Sequence, residues 1–301
     1  MKHRKKQKGK GQMRKIIISS LVILATVFFM ASSILSYEQI EEISSQISRA
    51  VLWIKSNQQQ KGNWQGSEDV SLSTAFCLQE SAKLDSIDRN SLEEWLLSQK
   101  TLYGKNLSLK YLIVFSGLEE HKQESLSSME NSQKADGSWG SVGTTSMILY
   151  KLILENKDKE VIKKALNWLE NKQNPDGGWA FIGFNESKFY PTSHATGVLI
   201  YAYNNGYYNN SLVIEKGMDF LLSKIYKNGK WISPQQGDYS ATHKLCETVV
   251  LLINWDPTND LVNFGISEIQ NRQLLDGGWG SRPSHTAVCL WALKEYEKRI
   301  K

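Results

Sequence analysis

The chain has 301 residues, with 36 Lys and Arg against 31 Asp and Glu, and its length suits one large domain with a substantial core. Eight of the basic residues fall within positions 1–15, where there is no acid, so the rest carries 28 basic against 31 acidic residues and is mildly acidic. That balance offers no basic face to a nucleic acid, and three cysteines, Cys77, Cys246 and Cys289, at no metal-like spacing argue against a disulfide framework.

After the basic tail comes a run from Ile16 to Leu35 that has no charge and is rich in Ile, Leu, Val and Phe, long enough to cross a bilayer as one helix. The flank beyond it, "SYEQIEE", is acidic. The positive-inside rule therefore predicts a membrane anchor over residues 16–36, with the N-terminus cytoplasmic and residues 37–301 outside the cell. The tail is also suited to anionic lipid headgroups. A cleaved signal peptide, which would release a secreted form, fits the same order of basic, apolar and small residues.

From there the chain repeats itself. The turns "NSQKADGSWG", "NKQNPDGGWAF" and "NRQLLDGGWG" share Gln, Asp-Gly and Trp, and weaker copies surround Trp64, Tyr103 and Trp231. The turn aromatics are Trp64, Tyr103, Trp139, Trp179, Trp231 and Trp279. Asp-Gly is a strong turn signal, because glycine accepts positive φ and aspartate bonds its own backbone. Segments before each turn have a helical period with one apolar face, whereas "TSMILYKLILEN", "ATGVLIYAYNN", "LCETVVLLINW" and "TAVCLWALKEY" are apolar nearly all round. Each unit thus reads as an outer helix, a tight turn and a buried inner helix. A ring hides such inner helices without end caps. The predicted fold is all-α, an α/α toroid of six outer and six inner helices preceded by one transmembrane helix.

Gln133…Asp136-Gly137-Ser138-Trp139, Gln173…Asp176-Gly177-Gly178-Trp179 and Gln273…Asp276-Gly277-Gly278-Trp279 resemble the QW repeat of squalene–hopene and other class II terpene cyclases. They are similar also to the repeats of protein prenyltransferase β subunits. The resemblance spans about residues 45–295 and implies an α/α toroid in which Gln and Trp pack together to tie neighbouring helix ends. It assigns Gln58, Gln133, Gln173, Gln273 and the turn tryptophans to holding the ring, with Gln173 a hydrogen-bond partner for its tryptophan.

The family's chemistry transfers only in part. Class II cyclases protonate an alkene with a DxDD motif, and none occurs here; "NWDPTND" spaces Asp256 and Asp260 wrongly. Prenyltransferases hold zinc with an Asp-x-Cys pair and a later His. His285 matches the last of these, but Leu245 and Glu247 occupy the other two places and Cys246 is one residue out of register. Zinc held by Cys246, Glu247 and His285 remains chemically possible, while Cys77 and Cys289, at matching places in their helices, read as small core residues.

If all turns enter the inner helices in the same sense, the helix N-termini crowd one mouth of the ring. His194, Glu247 and His285 then fall at one repeat position with Ser73, and Asp69, Asp238, Tyr239 and His243 lie nearby. This set forms a candidate acid–base site in which His194, Glu247, His285 and Asp238 are the expected catalytic residues. The alternative is that Ser73 and Glu247 cap helices and the histidines bond adjacent turns. Two functions follow. One is a cyclase- or prenyltransferase-like toroid that binds, and transforms, a long apolar isoprenoid in an aromatic-lined cavity. The other is a noncatalytic extracytoplasmic module that grips a peptide, glycan or lipid. No cofactor other than the possible zinc is expected.

Overall fold

The computed structural model describes residues 38–98, 119–235 and 239–300. The expected anchor over 16–36, the turn at Tyr103 and the site residue Asp238 lie outside these described residues. Among them, no helix is long and apolar enough to cross a membrane.

In chain order the helices are α1 (38–56), α2 (Glu68–Glu80), a 3-10 turn (Leu84–Ser86), α3 (Arg89–Ser98), α4 (Glu119–Asn131), α5 (Val142–Leu154) and α6 (Lys159–Asn171). They continue as α7 (Phe189–Asn204), α8 (Ser211–Ile225), α9 (Ser240–Trp255), α10 (Asp260–Asn271) and α11 (Pro283–Ile300). Two antiparallel hairpins interrupt them, β1 (Trp179–Ala180) with β2 (Ser187–Lys188) and β3 (Tyr226–Lys227) with β4 (Lys230–Trp231). The sequence reading expected plain turns there. The first hairpin lengthens the path from Trp179 to the helix that follows it.

Outer and inner helices differ as their composition requires. On α6, Ile162, Ala165, Leu166 and Leu169 form a single buried stripe at helical spacing, and Asp158 caps the first turn. The inner helix α7 is buried on nearly every side, from Phe189 through Ala202. Inner helices pack α5 on α7, α7 on α9, α9 on α11 and α11 on α2, which brings the last helix back to the first inner one. Their buried apolar residues form one continuous core. The architecture is an α/α toroid.

The turns show how the ring is held. In the second full repeat unit the indole Nε1 of Trp179 donates to the carbonyl of Leu169, ten residues back on its own outer helix, at 2.8 Å. Trp64, Trp139 and Trp279 do the same to Ile54, Met129 and Ile269. The glutamines act separately. Gln173 Nε2 donates to the carbonyls of Gly177, at 2.9 Å, and of Val213 on the next outer helix, at 2.8 Å. Gln133 bridges likewise to Val161 and Gln273 to Gln46, which closes the ring across 227 residues of sequence. The expected Gln–Trp hydrogen bond is therefore replaced by two parallel clamps to backbone, because a buried carbonyl at a helix end must find a donor. Gly177 is required twice over: its φ is +84°, and a Cβ there would stand 2.4 Å from the Lys216 carbonyl oxygen.

Candidate functional site

Each turn tryptophan also sets the register of the inner helix that follows. The backbone N–H groups of Trp64, Trp139, Trp179 and Trp279 donate to the hydroxyls of Ser71, Thr145, Thr192 and Thr286. The separations are 7, 6, 13 and 7 residues. His194 is two residues after its anchor hydroxyl and His285 one before, so the two histidines are nearly one helical turn apart rather than equivalent. Cys77 and Cys289 are likewise offset. Turn length varies among the units, and counting along the sequence cannot correct for it.

An inner helix flanked by neighbours on both sides and backed by outer helices has only its axial face open. On α7 the residues that keep solvent contact within the buried run are Tyr190, His194, Gly197 and Tyr201, and on α2, besides Gln79 at its end, they are Ser73, Phe76 and Glu80. Both sets recur at spacings of three and four, the period of one helix face. These positions keep solvent contact and face the axis. Rings line it: Phe76 packs edge-on to Tyr150 at 6.1 Å and to Trp291 at 5.8 Å, and Tyr150 lies 4.6 Å from Tyr201.

The polar cluster centres on Glu247. His243 Nε2 lies 3.0 Å from Glu247 Oε1, one turn earlier on α9. From the neighbouring inner helix α7, Ser193 Oγ donates to Oε2 at 2.9 Å. The His243 ring stands 4.7 Å from that of His285, in the first turn of α11, and 5.7 Å from Tyr190. His194 lies on the axial face, open to solvent yet crowded by protein. Burial pushes its imidazole below the usual range; the Glu247 charge opposes the fall and His243 adds to it. For Glu247, burial pushes upward, but the charge and hydrogen bond of His243, the charge of His194 and the Ser193 hydroxyl outweigh it. The carboxyl is held below its ordinary value.

These facts decide what the cluster can do. Ser193 gives its proton to a carboxylate and not to an imidazole, so it is no activated nucleophile. Glu247 is ionised, and with His243 it can accept a proton or stabilise a cation, but it is not a strong acid. Of the residues expected from sequence, His194, Glu247, His285 and His243 converge. Ser73 faces the axis without a hydrogen bond to the cluster, and Asp69 is exposed. Tyr239 packs over Gly280 and lines a surface cleft with Trp53 and Leu274. Capping falls to other residues, Ser67 for α2 and Ser141 for α5. Ser193 and Tyr190 were missed. Ser193 adjoins His194 in "TSHATG", but its partner is 54 residues away.

Cys246 and Cys289 form a disulfide between α9 and α11, with their Cα atoms 5.0 Å apart. This corrects the reading of both cysteines, since residues 43 apart in sequence meet only when the inner helices are adjacent. It also commits the Cys246 sulfur, so a zinc site of Cys246, Glu247 and His285 lacks its thiolate. No group of three metal-binding side chains occurs among the described residues. Zinc does not fit here.

No curated protein matches the chain in sequence. Among solved structures, the type II terpene cyclase MstE from Scytonema, in a variant bound to geranylgeranyl dihydroxybenzoate, superposes with a TM-score of 0.64 at 12% identity, covering 87% of this chain and 99% of that one. A protein from Actinoplanes gives 0.61 at 12% identity over 84% and 99%. A variant of an α-1,6-mannanase from Salegentibacter, in complex with alpha-1,6-mannotetrose, gives 0.57 at 12% identity over 86% and 99%. A cyclase and a glycan hydrolase share this toroid, so likeness of fold alone does not select a chemistry. The family described as squalene-hopene cyclase C-terminal domain matches residues 26–235, which is more than half of the chain and contains two of the three full QW turns. By that match, the protein belongs to the squalene-hopene cyclase C-terminal domain family.

Proposed function

We propose that this protein binds a long apolar, isoprenoid-like ligand in the axis of its toroid, with the ligand's polar end at the cluster of Glu247, His243 and His194. The observation that carries this reading is the composition of the axial face, where aromatic rings from several inner helices and the Glu247 carboxylate share the inner side of the ring. Apolar walls bind by excluding water, and a few placed polar groups fix orientation. Chemistry at this cluster is that of a base or cation stabiliser. Protonation-initiated cyclisation is not part of it, because the sequence has no DxDD motif.

A second reading, a noncatalytic extracytoplasmic binding module, is favoured by the same missing motif and by the Cys246–Cys289 disulfide, a bond that persists in oxidising compartments. The basic tail and the apolar run over 16–36 support membrane retention with the toroid outside, beside a bilayer that dissolves apolar ligands. Protease added to intact cells should then remove the toroid and leave a membrane-bound N-terminal fragment. Secretion of the whole domain would overturn retention.

Titrating the full chain with geranylgeraniol, read by tryptophan fluorescence, with extraction and mass analysis of the alcohol afterwards, separates the functional readings. Saturable binding that weakens in Glu247→Gln supports the axial site. An altered product identifies an enzyme, unchanged alcohol a binding module. Absence of saturable binding would sink the isoprenoid reading.

A further inference from the structure

The axis has a second polar pole. Glu80 ends the α2 stripe that begins at Ser73, seven residues and about 10 Å further along the helix. Its Oε2 accepts a hydrogen bond from Tyr150 Oη at 2.8 Å, although α2 and α5 do not pack along their lengths. Tyr150 in turn lies against Phe76 and Tyr201. Side chains of α2, α5 and α7 thus converge, and helices that are not ring neighbours meet only at the axis.

The polarity at this level is not a requirement of the repeat. By the anchor hydroxyls, Glu80 stands nine residues after Ser71, and nine after Thr145, Thr192 and Thr286 stand Leu154, Tyr201 and Glu295. The leucine of α5 shows that an inner helix can end here without an ionisable group. A part-buried carboxyl is costly where an apolar side chain would serve. Its other oxygen, Oε1, takes no hydrogen bond from any described residue. The nearest charges are Lys151, Glu295 and Lys298, of which Lys298 already pairs with Glu295 at 2.5 Å. Burial pushes the Glu80 carboxyl above its usual range, against the Tyr150 hydrogen bond and Lys151. The phenols of Tyr150 and Tyr201 are also pushed up, first by burial and then by Glu80. Such a pole offers hydrogen bonds while disfavouring added charge.

We infer that Glu80, Tyr150 and Tyr201 form a binding site for a neutral hydroxyl group at the far end of the axial ligand, so that the ligand is an apolar chain with a polar function at each end. The inference rests on the proposed axial binding. Glu247 takes one end of the chain and the Glu80–Tyr150 pair takes the other.

The test compares decanol with the α,ω-diol of decane, titrated into the full chain in lipid nanodiscs and read by tryptophan fluorescence. Wild type should favour the diol by roughly five- to tenfold, the worth of one additional hydrogen bond. In Glu80→Leu and in Tyr150→Phe the ratio of the two affinities should collapse towards unity. Equal affinities in wild type, with both probes binding saturably, would overturn the second pole and leave axial binding standing. A preference that survives both substitutions would overturn its assignment to these residues. Binding of neither probe overturns the second pole and axial binding together.

Discussion

His243 and Glu247 sit one turn apart on α9 with Nε2 and Oε1 3.0 Å from each other, and the hydroxyl of Ser193 reaches the same carboxylate from α7. The pair faces the axis of the ring, so its protonation governs the charge on the axial face.

Replacing Glu247 with Gln removes the one charge that holds the His194 imidazole up against burial. The His194 titration should move further down, followed by histidine NMR signals against pH. The same change should flatten the acid limb of stability. Glu247 has a depressed carboxyl in the fold, so its contribution is present above the unfolded-state value and is lost as pH falls through the folded one. An unmoved His194 resonance would show that the two groups do not share the axial field.

Trp179 bonds back to its own outer helix while Gln173 bridges to the next one, and their loss should differ in size. Trp179 is wholly buried, and Trp179→Ala should cost about 3–5 kcal/mol through the cavity and the lost indole bond. Gln173→Ala leaves the carbonyls of Gly177 and Val213 without this donor and should cost about 1–3 kcal/mol. Denaturant unfolding measures both. Equal costs would mean that the tryptophan is not the main element of the turn.

The disulfide joins residues 43 apart, and replacing both cysteines with Ala should cost about 2–4 kcal/mol by freeing the unfolded chain. A thermal melt with and without reductant should show the loss in wild type and none in the double variant. Cys77 is buried, and burial, with Glu247 and Glu80 nearby, pushes its thiol far up. Alkylation of the native, unreduced protein should therefore label nothing. Rapid labelling at Cys246 or Cys289 would refute the bond.

What the sequence by itself determined is whatever repeats locally. The Asp-Gly-Trp turns, the apolar inner segments and the amphipathic outer ones are short-range signals, and a row of such pairs has few ways to hide its apolar helices. The toroid was therefore legible from residues such as Gln133, Asp136 and Trp139. Only the tertiary structure decided which side chains meet. His194 and His285 stand nearly a turn apart only when each is placed against the hydroxyl that its turn tryptophan holds, Thr192 and Thr286. Pairs such as Ser193 with Glu247, Cys246 with Cys289 and Tyr150 with Glu80 depend on where each helix stands around the ring. Helices side by side in space are tens of residues apart in the chain. The indole clamp shows the same limit, since the nearest acceptor for Trp179 is a carbonyl at the end of its own outer helix, and only the folded turn brings it within reach.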